Sequence, residues 1–156
     1  MRLTAFAVGT RMPGWVKEGV TTYQKRLPRH LQLEFREFAP AQRSAGVTAE
    51  RAMRREGEQL LKALPDGAHL IALDERGRQW SSINLARQLE SWLAAQPQVV
   101  FMIGGADGLA PACKDRADSL WSLSALTLPH ALVRVVLAEQ IYRAWTLVQG
   151  HPYHRE

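Results

Sequence analysis

The densest group of reactive side chains in this sequence closes it, where His151-Pro152-Tyr153-His154-Arg155-Glu156 brings imidazole, phenol and guanidinium groups together. An imidazole with an ordinary pKa of about 6.5 accepts a proton near neutral pH, an aromatic ring stacks on a base, and a guanidinium holds a phosphate or a developing anion. Chain ends are more often inert than functional, so these residues alone leave both readings open. His151 and His154 have a spacing that suits a metal on a helix, but Pro152 between them removes that meaning. A second group is Gly104-Gly105-Ala106-Asp107-Gly108. Glycine has no Cβ, so such a turn lets backbone approach a ligand, and a branched residue at 104 or 105 is expected to fill the ligand's space. Its glycine intervals do not match the dinucleotide fingerprint, and the Lys-Ser/Thr of a phosphate-binding loop is absent. A tight structural turn and a backbone-lined pocket both remain. Ser122, Ser124 and Thr127 offer hydroxyls and His130 an imidazole, but no G-x-S-x-G elbow or acidic orienter accompanies them. They read as polar residues at a strand end. Glu139 stands four residues before Arg143, the spacing of an ion pair across one helical turn.

Alternating strands and helices carry these groups. Residues 3–8 form an apolar run closed by Gly9, a buried strand. Residues 13–27 place Trp15, Val16, Val20, Tyr23 and Leu27 at helical spacing, and Pro28 stops them. Residues 31–36 alternate apolar and polar, a half-exposed strand, and residues 39–47 read as a mobile loop. Thr48 caps a polar helix running to residue 64, which Pro65-Asp66-Gly67 turns away. Residues 69–73 are a strand. Ser81 or Ser82 then caps a helix with Ile83, Ala86, Leu89, Trp92 and Leu93 mostly on one face. Residues 99–103 are the most apolar strand and open into the glycine turn. A short helix starts near Pro111, residues 120–128 are a strand or a strand and loop, and residues 131–148 are the longest helix. This order predicts one α/β domain over residues 1–156 with a mostly parallel sheet. Such sheets bind ligands at the carboxyl ends of their strands. That rule selects Leu73-Asp74-Glu75, Ile103-Gly104-Gly105 and residues 123–128. Periodicity alone suggests a doubly wound nucleotide-binding fold.

The net charge of +5 favours a nucleic-acid partner, with Arg11, Lys17, Lys25, Arg26, Arg29 and His30 early and Arg51, Arg54 and Arg55 on a helix. Arg76 and Arg78 are expected in a loop after a strand. The single cysteine, Cys113, excludes a disulfide framework or a thiolate zinc site within one chain and fits a reducing compartment. The amino terminus reads as a first strand, not a signal peptide, and no run approaches the roughly 20 apolar residues of a membrane span. A cytosolic protein is expected. The last long helix is apolar on more than one face, with Leu132, Val135, Val136, Ile141, Trp145 and Val148, so an obligate dimer is expected.

Longer strings narrow the choice. They are Ala7-Val8-Gly9, Arg55-Glu56-Gly57-Glu58, Ile103-Gly104-Gly105 with Gly108-Leu109, and Leu123-Ser124-Ala125-Leu126-Thr127-Leu128-Pro129-His130. Arg134-Val135-Val136-Leu137-Ala138-Glu139-Gln140-Ile141-Tyr142-Arg143-Ala144 and the closing Tyr153-His154-Arg155 complete the set. In this order and spacing the chain resembles the RlmH family of SPOUT-class RNA methyltransferases, over essentially its whole length. The resemblance implies an α/β SPOUT fold with a C-terminal trefoil knot, a homodimer, and S-adenosylmethionine as methyl donor. It implies methylation of N3 of a pseudouridine in 23S rRNA of the assembled ribosome. Carried over by matching motif, the cofactor contacts are Leu73, Gly104 with Gly105, and Leu123, Ser124, Ala125, Leu126, Thr127 and Leu128. These are the strand ends that the sheet rule selects independently. The tail then supplies the catalytic candidates: His154 to take the N3 proton, Arg155 to stabilise the anion, and Tyr153 to stack on the base. A tail that only clamps RNA while solvent or the ribosome takes the proton is the competing assignment. By the residues alone, a non-catalytic ribosome-binding factor and an α/β enzyme for a phosphorylated ligand also stay open.

Overall fold

A computed structural model describes residues 1–155, with side chains through Tyr153. Its centre is a five-stranded sheet in the order β2-β1-β4-β3-β5, formed by β1 (Arg2–Val8), β2 (Gln32–Phe38), β3 (His69–Gln79), β4 (Gln98–Ile103) and β5 (Ser119–Ser122). Every pairing is parallel. A parallel sheet is covered on both faces, so its central strands must be apolar throughout. β1 and β4 come close to that demand: from Leu3 to Val8 and from Val99 to Ile103 every residue is buried, and Thr4 is the one polar side chain among them.

Strand periodicity divides the core in two. Leu3, Ala5 and Ala7 of β1 join Phe101 on the face covered by α1 (Gly14–Gln24), α3 (Ser82–Ala95) and α5 (His130–Gln149). Phe6 and Val8 join Val100 and Met102 on the other face, beneath α2 (Ala49–Ala63) and α4 (Pro111–Arg116). The caps are those the sequence signals. The Thr48 hydroxyl accepts from the Arg51 amide at 3.1 Å, and Ser81, rather than Ser82, accepts from the Asn84 amide at 3.0 Å.

Two boundaries move for physical reasons. α1 ends at Gln24 instead of residue 27; Pro28 biases the residue before it away from helix, so the last expected turn unwinds while Leu27 stays buried. β3 runs on to Gln79, so Arg76 and Arg78 lie in a strand, exposed, and not in the expected loop. Pairing with β5 extends it: the register shifts between Leu73 and Arg78, and Arg78 and Gln79 then pair with Trp121 and Ser122. The stretch 120–128 resolves into the short strand β5 followed by a loop over residues 123–129. A 3-10 turn, Pro152–Arg155, follows α5. Among the described residues no helix is long and apolar enough to cross a membrane.

Candidate active site

The carboxyl ends of β4 and β5 and the middle of β3, at its register shift, open together on one cavity of about 850 Å³. Leu73, Gly104, Gly105, Leu123, Ser124, Leu126, Thr127 and Leu128 all line it. Of the expected cofactor contacts only Ala125 is off the wall, exposed between Ser124 and Leu126. Three segments distant in sequence thus converge; β4 and β5 do so at their carboxyl ends, as the strand-end rule expects, whereas Leu73-Asp74-Glu75 lies within β3, which runs on to Gln79.

Glycine shapes the wall from behind. A Cβ at Gly104 would sit 2.4 Å from the Gly108 carbonyl carbon and 2.7 Å from its oxygen. A Cβ at Gly105 would press on Val8 Cγ1 at 3.0 Å. The turn closes on itself, with the Gly108 amide donating to the Gly105 carbonyl at 3.1 Å. The expectation that a side chain at these positions fills the ligand's space is therefore corrected. It collides with the turn or the core, and the wall changes shape as a result.

The opposite wall, residues 123–129, spends its hydroxyls locally. Ser122 Oγ donates to the Ser124 carbonyl at 2.9 Å, and Ser124 Oγ accepts from the Leu126 amide at 2.9 Å. Neither serine is set up as a nucleophile, which agrees with the polar-strand-end reading. Further lining residues carry chemistry that sequence reasoning did not assign. Lys114 pairs with Asp74 at 3.6 Å. Trp121 Nε1 and His130 Nδ1 belong to lining residues and have no protein hydrogen-bond partner. Both atoms are buried behind the wall and do not open onto the cavity.

Just past the cavity, Arg134 is 3% exposed. Its Nη1 binds the Glu37 carboxylate, and its Nη2 donates to the Gly9 carbonyl at 2.8 Å. This pins the start of α5 to the ends of β1 and β2. Arg134 stood in a recognised string, but no local signal named partners so far away in sequence.

The tail is elsewhere. The Tyr153 hydroxyl donates to Glu139 Oε1 at 3.0 Å, its ring meets Tyr142 edge-on at 4.7 Å, and the Arg143 guanidinium lies 5.0 Å from the ring centroid. Arg143 also pairs with Glu139 at 2.8 Å, as the helical spacing indicated. Burial first, then the bond to Glu139, pushes the Tyr153 phenol well above its usual range. Gln140 fixes the second oxygen of Glu139 through its amide nitrogen, while its own oxygen accepts from Ser82. The side chains of His154 and Arg155 lie outside the described residues. None of the described tail residues lines the cavity. His130 at the cavity and Glu139 at the tail are separated by a helical rise of about 14 Å.

A parallel α/β sheet whose strand ends, glycine turn and following loop enclose one pocket, with a long helix leading from it, defines a class. The chain belongs to the SPOUT methyltransferase family: the family described as predicted SPOUT methyltransferases matches residues 1–154. Several relatives matching over nearly the full length of both chains share one name, ribosomal RNA large subunit methyltransferase H. The protein of that name from Chromobacterium violaceum is 53% identical over 156 residues, covering 100% of both chains. Those of Laribacter hongkongensis and Burkholderia lata are 54% identical over 156 residues and 52% over 155, covering 100% and 99% of each chain.

Proposed function

We propose that this chain, acting as a homodimer in the cytoplasm, transfers a methyl group from S-adenosylmethionine to N3 of a pseudouridine in 23S rRNA of the assembled ribosome. The observation that carries the reading is the convergence of the expected cofactor contacts, Ala125 apart, on one cavity. The shared name of the full-length relatives supports ribosomal RNA as substrate. The pseudouridine, its N3 atom and a knotted C-terminal part come with the family resemblance.

When bound, S-adenosylmethionine supplies a methyl group already activated on a sulfonium, so the chain's own residues have two tasks, positioning and proton removal. The glycine turn and residues 123–128 present mostly backbone and aliphatic surface to the cofactor. Trp121 and His130 line the same wall. On the RNA side, His154 accepts the N3 proton and Arg155 stabilises the resulting anion. Tyr153 holds the turn that carries them, since its hydroxyl is committed to Glu139 and its ring to Tyr142. Its part is thus anchoring more than free stacking.

Because the tail lies along α5 from the cavity, a second copy supplies it. Leu126, 75% exposed on the cavity loop, and the partly exposed Leu132, Val133 and Val136 offer that copy an apolar surface beside the cavity. The test is methyl transfer to ribosomes from a strain lacking this protein, with the product located by mass mapping. One methyl group on N3 of a single 23S pseudouridine is the expected result. Transfer to another site, or none at saturating S-adenosylmethionine, overturns the reading.

A further inference from the structure

The loop between β2 and α2 is fastened to the cofactor turn by one side chain. Arg43 Nε donates to Asp107 Oδ2 at 2.9 Å. Its Nη1 donates to Glu56 Oε2 at 2.9 Å and to the Ala41 carbonyl at 3.0 Å, and its Nη2 reaches Glu56 Oε1 at 3.3 Å. The Ala41 amide closes the ring by donating to Glu56 Oε2 at 2.9 Å. Glu56 is 4% exposed, and its Oε1 would lie 3.7 Å from a Cβ built on Gly105. Asp107 lines the cavity. One guanidinium therefore joins the loop, α2 and the glycine turn.

We propose that Arg43 is a positioning residue for the cofactor: it clasps the loop onto the Gly104–Gly108 turn, so that loop docking and cofactor binding are coupled. This rests on the reading of the cavity as the S-adenosylmethionine site. The two arms of the clasp differ. The inner arm neutralises a buried carboxylate, which cannot be left alone without a large penalty. The outer arm holds Asp107, whose side chain is 38% exposed and belongs to the wall itself. A planar fork is needed to serve both, because a lysine ammonium is a point charge that cannot present parallel N–H groups to Glu56 while reaching Asp107. Coupling is reciprocal: if the clasp shapes the turn for the cofactor, the cofactor must in turn tighten the clasp.

The Arg43–Ser44 bond is itself a trypsin site, so the full-length dimer reports on the clasp directly. In the wild type, saturating S-adenosylmethionine should slow cleavage after Arg43. Asp107→Asn should weaken cofactor binding, measured by calorimetry, about tenfold and raise its KM by a similar factor with a much smaller change in kcat. Arg43→Gln should do the same, and Arg43→Lys should restore little. Should Arg43→Gln fail to fold around the lone Glu56 charge, the pair Arg43→Gln with Glu56→Gln removes both charges and serves instead. Adding Asp107→Asn to either should weaken binding no further. Wild-type binding with unchanged affinity in these variants, or cleavage indifferent to cofactor, overturns the clasp alone. A wild type that does not bind S-adenosylmethionine overturns the cofactor reading and the clasp's role with it.

Discussion

At its amino-terminal end α5 is tied to the ends of β1 and β2 by one buried side chain, Arg134. His130 and Val133 face a cavity walled by glycines and a self-bonded loop, and Arg134 reaches past them to the carbonyl of Gly9. Farther along, the tail is held by its backbone, with the His151 amide donating to the Thr146 carbonyl at 2.8 Å, and by a network in which Tyr153, Arg143 and Gln140 all donate to the Glu139 carboxylate. The glycine turn and the loop after β5 hold their shape by bonds within themselves, while the ionisable Asp74, Asp107, Lys114 and His130 stand beside them on the cavity. A side-chain network of this kind can orient acids, bases and rings.

The comparison breaks most visibly if the two ends are damaged separately. Deleting residues 151–156 should lower methyl transfer by about 10²–10⁴, the usual span for a lost general base, while calorimetric affinity for S-adenosylmethionine stays within about twofold. Gly104→Val should do the reverse, abolishing cofactor binding by deforming the turn. Dimers mixed from the two variants should regain transfer, because each supplies the end the other lacks. Mixed dimers as inactive as their parents would mean that each tail serves its own cavity.

Arg134→Met tests whether the cavity end depends on buried charge. It removes the bonds to Gly9 and Glu37, and since Glu37 is partly exposed the loss should be about 2–4 kcal/mol in urea unfolding, with the tail's network unaffected. A loss below 1 kcal/mol, roughly the worth of a surface pair, would place the anchoring of α5 elsewhere. Glu139→Gln is expected to be milder, since a neutral amide still accepts from Tyr153. Single-turnover transfer should fall about tenfold, the effect of one weakened charged hydrogen bond, without change in cofactor affinity. An equal fall in cofactor affinity would show that the two ends are not separable.

The smallest effect lies away from both ends. Cys113 is buried under α2, and burial pushes its thiol from 9.0 up to about 11. Iodoacetamide at pH 8 should label it far more slowly in the native protein than in denaturant. Because the folded thiol ionises later than the unfolded one, its contribution to stability is complete below about pH 9 and lost as pH rises through about 11. Deleting the tail should leave this labelling unchanged.

Much of the frame was legible because it is written locally. The apolar run of β4, the caps at Thr48 and Ser81, and the i,i+4 pair of Glu139 and Arg143 depend on neighbours within one turn or one strand. The cavity was legible in outline for a similar reason: strands in a parallel sheet end on the same side, and the resemblance named the same three segments. Arg43 was not. It sits in a loop read as mobile, and its docking depends on Asp107, a partner 64 positions away. The extension of β3 to Gln79 was equally hidden, since Arg76 and Arg78 carry no strand pattern and only the backbone of β5 makes them one.

The sequence by itself therefore determined an alternating α/β chain, the helix caps at Thr48 and Ser81, its buried central strands and the segments that meet at the cavity. Tertiary structure alone decided that Gly104 is required by Gly108, that Arg134 and Arg43 lock distant elements, and that Tyr153 rests on Glu139, away from the cavity. Hydrophobic periodicity and capping are set by neighbours a few residues apart and leave a local trace. A buried charge is held by whatever the completed fold places beside it, and nothing in its own segment records that partner.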